Sequence, residues 1–260
     1  MLKQFITFTL LGALSFGASA ASVDGVISTN EYHWTTDGIE GSDKWRTHGG
    51  IQEYNDASGG NDYDINFFGT NSSNGLFQFG AIGGEILSGR ETGTGGGVGI
   101  TLSDFALGFN TSSDPTVDSS GFQYAIRLMG VDDNSGIANF NLIKGGQWVG
   151  TDLYNNAYAP DHISETFRMN GGTVISSFTG AWTNNGTDTS VLEGSFDLGL
   201  LSLFELNQGG TLSTYLTMAC VNDEVMVHNK VSAVPLPAAV WLLSPALVGF
   251  MSLRRRKRKA

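Results

Sequence analysis

Hydrophobic and polar residues alternate one by one in four separate stretches of the chain, residues 62–68, 76–82, 122–128 and 191–198. A period of two is typical of β-strands that bury one face and expose the other. Short clusters rich in Asn, Asp and Gly separate the stretches and predict turns; they cover residues 71–75, 92–97, 132–136, 170–172 and 184–186. Outside the termini, only residues 198–206 suggest a short helix. We therefore predict an all-β protein with a single, jelly-roll-like β-sandwich domain over residues 21–232.

The alternation also predicts which side chains enter the core. Each stretch contributes one set of residues that we predict to face the core. The four sets, in chain order, are Tyr63, Ile65 and Phe67; Phe77, Phe79 and Ala81; Phe122, Tyr124, Ile126 and Leu128; and Leu192, Phe196 and Leu198. On the opposite face of their strands we expect Arg127, Glu193, Ser195 and Asp197 to point outward.

The first 20 residues have the three parts of a secretory signal peptide. Lys3 supplies a positive charge, residues 5–17 are apolar, and Ala18 and Ala20 are the small residues that signal peptidase requires. We expect cleavage after Ala20 and export across the inner membrane.

The last 28 residues, 233–260, have the character of a membrane signal. Residues 238–253 are uncharged, and as a helix they would span about 24 Å, slightly less than a hydrocarbon core of about 30 Å. Pro235 and Pro237 favour an extended backbone just before this helix. Six basic residues follow it and would stop transfer with the tail in the cytoplasm: Arg254, Arg255, Arg256, Lys257, Arg258 and Lys259.

The order of these parts resembles a known sorting signal. The string Val234-Pro235-Leu236-Pro237, followed by the apolar helix and the basic cluster, resembles the VPLPA variant of the PEP-CTERM signal. The resemblance implies processing by an exosortase, a membrane transpeptidase of Gram-negative bacteria that make exopolysaccharide. It also implies a mature protein at the cell surface or outside the cell.

The body resembles the sugar-binding β-sandwiches of the DOMON-like superfamily in short strings. These are residues 23–28 with Glu31 and Tyr32, and residues 62–64, 124–127 and 192–198. The resemblance implies a carbohydrate-binding module.

The charge of the body narrows the range of possible partners, and the cysteine content excludes an intrachain disulfide. The chain has 14 basic and 25 acidic residues, but six of the basic residues are in the tail and Lys3 is in the leader. The body thus carries seven basic against 25 acidic residues, which disfavours nucleic acid and anionic lipid as partners. Cys220 is the only cysteine, so no intrachain disulfide can form, and we expect a buried thiol.

One strand offers oxygen ligands for a metal ion. Asp62, Asp64 and Asn66 would share one face and could help bind Ca²⁺, although Phe67 stands where an EF-hand loop needs Gly. Residues 132–134, Asp-Asp-Asn, form a second candidate cluster. The alternative interpretation for both is a solvated polar surface. Apart from this Ca²⁺ hypothesis, we expect no cofactor.

No catalytic constellation can be assembled from the sequence. The four histidines, His33, His48, His162 and His228, lack zinc spacing, and neither HExxH nor GxSxG occurs. Trp34, Trp45, Trp148 and Trp182 could be sugar-stacking platforms or core residues. We favour a non-enzymatic structural or interaction protein of the exopolysaccharide matrix. The alternatives are a carbohydrate-binding module, which Ca²⁺ could assist, and a hydrolase, which the missing constellation disfavours.

Overall fold

A computed structural model of the chain describes residues 21–28, 31–32, 46–48, 51–53, 65–90, 92–95, 98–111, 118–150, 166–185, 190–201, 206, 209–219 and 224–231. This part is dominated by β-strands, which confirms the predicted all-β class. The strands are β1 (Arg46–His48), β2 (Ile51–Glu53), β3 (Ile65–Ser73), β4 (Leu76–Gly83), β5 (Thr92–Gly95), β6 (Val98–Ile100), β7 (Phe105–Phe109), β8 (Tyr124–Asp132), β9 (Ile137–Lys144), β10 (Gln147–Val149), β11 (Arg168–Asn170), β12 (Thr173–Thr183), β13 (Ser190–Asp197), β14 (Gly210–Thr217) and β15 (Glu224–Val231).

Nine of these strands form one antiparallel sheet. Its order is β15-β14-β7-β8-β9-β12-β13-β4-β3, and the two edge strands, β15 and β3, come back into contact. The sheet is therefore nearly closed on itself around a single core. This differs from the predicted sandwich, in which two separately hydrogen-bonded sheets would face each other. The short pairs β1–β2, β5–β6 and β10–β11 lie outside this sheet.

Bulges interrupt three strands of the sheet, at Asn66 in β3, Met129 in β8 and Ile175 in β12. A bulge bends its strand and increases the local twist, which helps a sheet to curl toward closure. It also reverses the faces of the residues that follow. Ile65 is in the core, whereas Phe67 lies in a separate outer cluster, so the prediction that both share a face is wrong.

The core is built around the ring of Phe79, which is fully buried with Phe77 and Ala81 as predicted. Its centroid lies 4.9 Å from that of Phe105 and 5.2 Å, edge to face, from that of Phe140. Leu192, Phe196 and Leu198 are buried in the same core, as the alternation also predicted.

Most turn predictions are confirmed. Asn74 and Gly75 both have positive φ and join β3 to β4 as a two-residue hairpin turn, where the second position favours glycine. Residues 132–136 form the turn between β8 and β9. The predicted turn at residues 92–97 instead begins with β5, and Leu198–Leu200 form a 3₁₀ turn at the start of the predicted helix.

Three pieces of chain cover parts of the outer face of the sheet. The first piece contains Phe122, which packs on the outer face against Ala106 and Tyr215 and not in the core as predicted. The reason is that the chain turns between Ser119 and Phe122 before β8 begins. The β10–β11 hairpin covers Ala125 and Ile143 through Met169. The third cover is residues 21–28 with Glu31 and Tyr32, which we call the amino-terminal strap.

Candidate functional site

Between the strap and the β10–β11 hairpin, the outer face of β8, β9 and β12 presents a row of polar side chains. We call it the outer strip, and it consists of Arg127, Met129, Asn139, Asn141, Ser177 and Thr179. Asn139, Ser177 and Thr179 are exposed, and Met129 is 56 % exposed. The strip therefore combines neutral hydrogen-bonding groups with one apolar side chain and one cationic side chain, that of Arg127.

Strand pairing fixes the spacing of the strip. Asn141 lies opposite Arg127 on one side and Ser177 on the other, and Asn139 lies opposite Thr179. With strands about 4.8 Å apart, three strands give a surface about 10 Å wide. The Ser177 hydroxyl donates to Oδ1 of Asn141 at 2.7 Å, which orients that amide. These side chains are thus held in place on a regular sheet and not on a loop.

An ion pair anchors one end of the strip. Nε and Nη2 of Arg127 donate to the two carboxylate oxygens of Asp104 at 2.9 and 2.7 Å, and Nη2 also donates to the Met169 carbonyl at 2.5 Å. The Met169 amide donates to Asp104 at 2.9 Å. Asp104 is buried, and its hydrogen bond raises the pKa of the Arg127 guanidinium. The pair ties the β10–β11 hairpin to the sheet and offsets the charge of Arg127.

Glu193 on β13 is a buried carboxylate that lies beyond the end of the strip opposite to Arg127. It faces outward as predicted, but it is fully buried because the strap covers it. Its Oε1 accepts from the Tyr32 hydroxyl at 2.6 Å, and its Oε2 accepts from the amides of Gly25 at 2.7 Å and Asp24 at 3.2 Å. All three donors belong to the strap.

Burial dominates the ionisation of this pair. It raises the pKa of Glu193 above its usual value, and the three hydrogen bonds oppose that rise only in part. Burial, together with the hydrogen bond to Glu193, raises the pKa of Tyr32 as well, so the phenol remains a donor. The arrangement stabilises the strap and offers no free carboxylate to a substrate.

The Asp-Asp-Asn cluster at residues 132–134 stabilises its own turn. Asp132 accepts from the Asn134 amide at 2.9 Å and the Ser135 hydroxyl at 2.8 Å, which lowers its pKa. Asp133 accepts from the Trp182 indole at 2.8 Å and forms an ion pair with Arg90 at 2.7 Å. Both carboxylates therefore already have donors.

The predicted calcium ligands are described only in part. Asn66 lies at the β3 bulge, while Asp62 and Asp64 lie outside the described residues. Within the described ranges, no three His, Cys, Asp or Glu side chains come together in a way that could hold a metal ion.

Two of the four candidate tryptophans are described. Trp182 is 3 % exposed and belongs to the core, so it is not a sugar platform. Trp148 is half-buried, packs against the covers of the outer face and donates to the Phe122 carbonyl at 2.7 Å. Trp34 and Trp45 lie outside the described residues. Of the histidines, His228 bonds to the Ser213 hydroxyl at 2.8 Å.

Several sequence predictions fall outside the described residues: the leader 1–20 with Ala18 and Ala20, Cys220, and the whole sorting signal 233–260. In the part of the chain that is described, no helix is long and apolar enough to cross a membrane.

The sequence patterns did not reveal Glu193 and Asp104 as interaction centres. One signal was present: the strings 23–28, 31–32 and 192–198, singled out together above, supply the strap and the carboxylate that it contacts. Comparison of the chain with models of protein families, with curated proteins and with solved structures gives no match. The fold and the site therefore define a class only: an all-β protein with a nearly closed antiparallel sheet and an exposed strip of polar side chains.

Proposed function

We propose that this chain is an exported, non-enzymatic protein of the bacterial cell envelope or matrix, and that its β-domain binds neutral polysaccharide through the outer strip. The observation that carries the binding proposal is the exposed row of amide and hydroxyl side chains on the sheet face between the two covers.

The chemistry of the strip matches a neutral polyol. Asn139, Ser177 and Thr179 can both donate and accept hydrogen bonds, as sugar hydroxyls do. Met129 offers an apolar contact for the C–H face of a sugar ring. The charge of Arg127 is offset by Asp104, and the acidic body repels polyanions, so a neutral chain is favoured over an acidic one.

Export and delivery follow from the two ends of the sequence. Signal peptidase would cut after Ala20, and the Pro235–Pro237 segment would present an extended backbone to an exosortase while the helix 238–253 and its basic tail hold the precursor in the inner membrane. Each basic side chain resists crossing by about 2.5–3.5 kcal/mol at the bilayer centre. The mature protein would then reach the surface or the matrix.

The assignment of no enzymatic role is supported by the use of the buried acids. Asp104 is held in a bidentate ion pair, and Glu193 accepts three hydrogen bonds from the strap. Both are committed to holding covers on the sheet.

Affinity electrophoresis tests the binding proposal. The exported protein is run through native gels that contain dextran, a galactan or, as the anionic comparison, alginate. We expect retardation by a neutral polysaccharide and none by alginate. Asn139→Ala should weaken binding about three- to tenfold, the effect of one lost hydrogen bond. The exposed turn variant Asn134→Ala is the matched control.

Equal retardation of Asn139→Ala and the wild type would contradict the role of the strip, and so would retardation by alginate alone. Export is tested separately by fractionating cells that make Pro235→Ala/Pro237→Ala. Maturation of this variant at the wild-type rate would contradict the sorting proposal and leave the binding proposal standing.

A further inference from the structure

The amino-terminal strap is bound to the outer face by side chains of four strands. Besides the contacts to Glu193, the Thr183 hydroxyl donates to the Gly25 carbonyl at 3.0 Å, and the Asn71 amide donates to the Glu31 carbonyl at 3.1 Å. These contacts come from β12, β13 and β3, and β4 adds a fourth at the first residue of the strap.

Ala21, the first residue of the strap, is hydrogen-bonded to the sheet through both of its backbone groups. The Ala21 nitrogen donates to Oε1 of Gln78 at 3.0 Å, and Nε2 of the same side chain donates back to the Ala21 carbonyl. Ala21 is 6 % exposed and Gln78 is 2 % exposed. One buried amide on β4 therefore engages both backbone groups of Ala21.

Two paired glycines on the outer face leave room for the ring of Tyr32. Gly69 on β3 pairs with Gly80 on β4, and neither has a side chain that would fill the space. A Cβ atom at Gly80 would lie 2.9 Å from the Tyr32 ring, and one at Gly69 would lie 2.6 Å from the Tyr32 Cβ. Only glycine at these positions lets Tyr32 approach closely enough to reach Glu193.

We propose that the leader is removed before the strap closes, and that the amino group released at Ala21 then docks on Gln78 to complete the domain. This inference rests on the proposed cleavage after Ala20. A peptidase must bind the chain around its cleavage site in an accessible form, and docked Ala21 is buried with both backbone groups engaged. Cleavage therefore precedes docking, and docking then protects the new terminus.

Electrostatics favours the processed form. Cleavage turns the Ala21 amide into an ammonium group, which can still donate to Gln78. Gln78 lies opposite Ser195, two residues from Glu193 on the same outward face of β13. The new positive charge therefore arises near a buried carboxylate whose donors in the described part of the chain include no basic group, and attraction to the ionised carboxylate stabilises the closed strap.

The reactivity of the amino group tests the proposal. The protein recovered from the envelope is treated with acetic anhydride, first folded and then in urea, and acetylation of the terminal residue is followed by mass spectrometry. We expect the Ala21 amine to react at least about tenfold more slowly in the folded protein, corresponding to about 1.4 kcal/mol of protection.

Two variants should abolish the protection. Gln78→Met removes both bonds to Ala21 at similar volume, and an insertion of Ser-Gly between Ala20 and Ala21 displaces the amine without changing the sheet. Asn139→Ala, also on the outer face, should remain protected. The proposal would be overturned if the amine reacted as fast in the folded protein as in urea, or if both variants remained fully protected. If the exported protein starts at Met1, the proposed cleavage after Ala20 fails instead.

Discussion

The hydroxyl of Tyr32 lies 2.6 Å from a carboxylate oxygen of Glu193, a residue 161 positions further along the chain. The contact is buried and joins the strap to β13. It brings a phenol and a carboxylate together away from water, where an unpaired carboxylate would be costly. The strap is therefore a part of the fold whose stability can be measured.

Removal of the Tyr32 hydroxyl should destabilise the domain. Tyr32→Phe keeps the ring next to the paired glycines but removes a hydrogen bond to a buried charged group, which contributes about 1.5–3 kcal/mol. Urea unfolding followed by tryptophan fluorescence would measure the loss. Tyr124→Phe is the matched control, because Tyr124 is equally buried but its ring packs in the core beneath Lys144. A smaller loss in Tyr32→Phe than in Tyr124→Phe would contradict the role of the pair.

Glu193 should make stability depend on pH with a definite sign. Its pKa is raised in the folded state, whereas an unfolded glutamate titrates at about 4.3. Between these two values the folded protein holds a proton that the unfolded chain releases, so the free energy of unfolding falls as pH rises above about 4.3. Glu193→Gln cannot titrate and should lack this contribution.

The measurement compares the wild type and Glu193→Gln by urea unfolding from pH 4.5 to pH 7. The advantage of the wild type should shrink steadily as pH rises, while slopes from Asp132 and Asp133 are common to both proteins. An advantage that grows with pH would show that the carboxylate is stabilised as the anion and that its pKa is lowered.

Glu193 also shows what the sequence could and could not predict. The alternation in residues 191–198 correctly placed Leu192 and Phe196 in the core and Glu193 on the opposite face. It could not show that this face is covered, because the cover comes from residues 21–28 with Glu31 and Tyr32, far away in the chain. An alternation with a period of two shows which residues share a face of a strand. Whether that face is exposed to solvent depends on the tertiary fold.

Two aromatic residues make the same point for register. Phe67 and Phe122 fit the inner positions of their alternating runs, yet both lie outside, after a bulge at Asn66 and before the start of β8. A bulge or a late strand start shifts the pattern by one residue and exchanges the faces. The alternating stretches correctly predicted β3, β4, β8 and β13, and most of the turns were also predicted, because both depend on local residue types; β7, β9, β12 and β15 were not predicted.

The Asp104–Arg127 pair should hold the β10–β11 hairpin in place. Arg127→Met keeps much of the side-chain volume but leaves the buried Asp104 without its cation, and loss of one partner of a buried ion pair costs about 3–5 kcal/mol. Because Arg127 is 23 % exposed, we expect the lower end of that range. The amide of Met169 should exchange with deuterium faster, since its acceptor is Asp104. Arg168→Met, at an exposed neighbour on β11, should leave that exchange unchanged; equal effects of the two variants would contradict the anchor.

The core around Phe79 should not accept a single methyl group at Gly194. A Cβ at Gly194 would lie 2.3 Å from the Phe79 ring, and the ring cannot move freely because it contacts Phe105 and Phe140. Such overpacking typically costs about 1–3 kcal/mol. Gly199→Ala is the control, because its Cβ would meet only the exposed side chain of Asp197, at 3.0 Å.

A double-mutant cycle shows whether the cost comes from this contact. Phe79→Leu alone should destabilise the core by leaving a cavity. In the combination with Gly194→Ala, the smaller side chain makes room for the methyl group, so the double variant should be more stable than the sum of the two losses predicts. Thermal and urea unfolding of the four proteins would measure the coupling. Strict additivity would mean that the cost of Gly194→Ala arises in the backbone of β13 and not at the Phe79 ring.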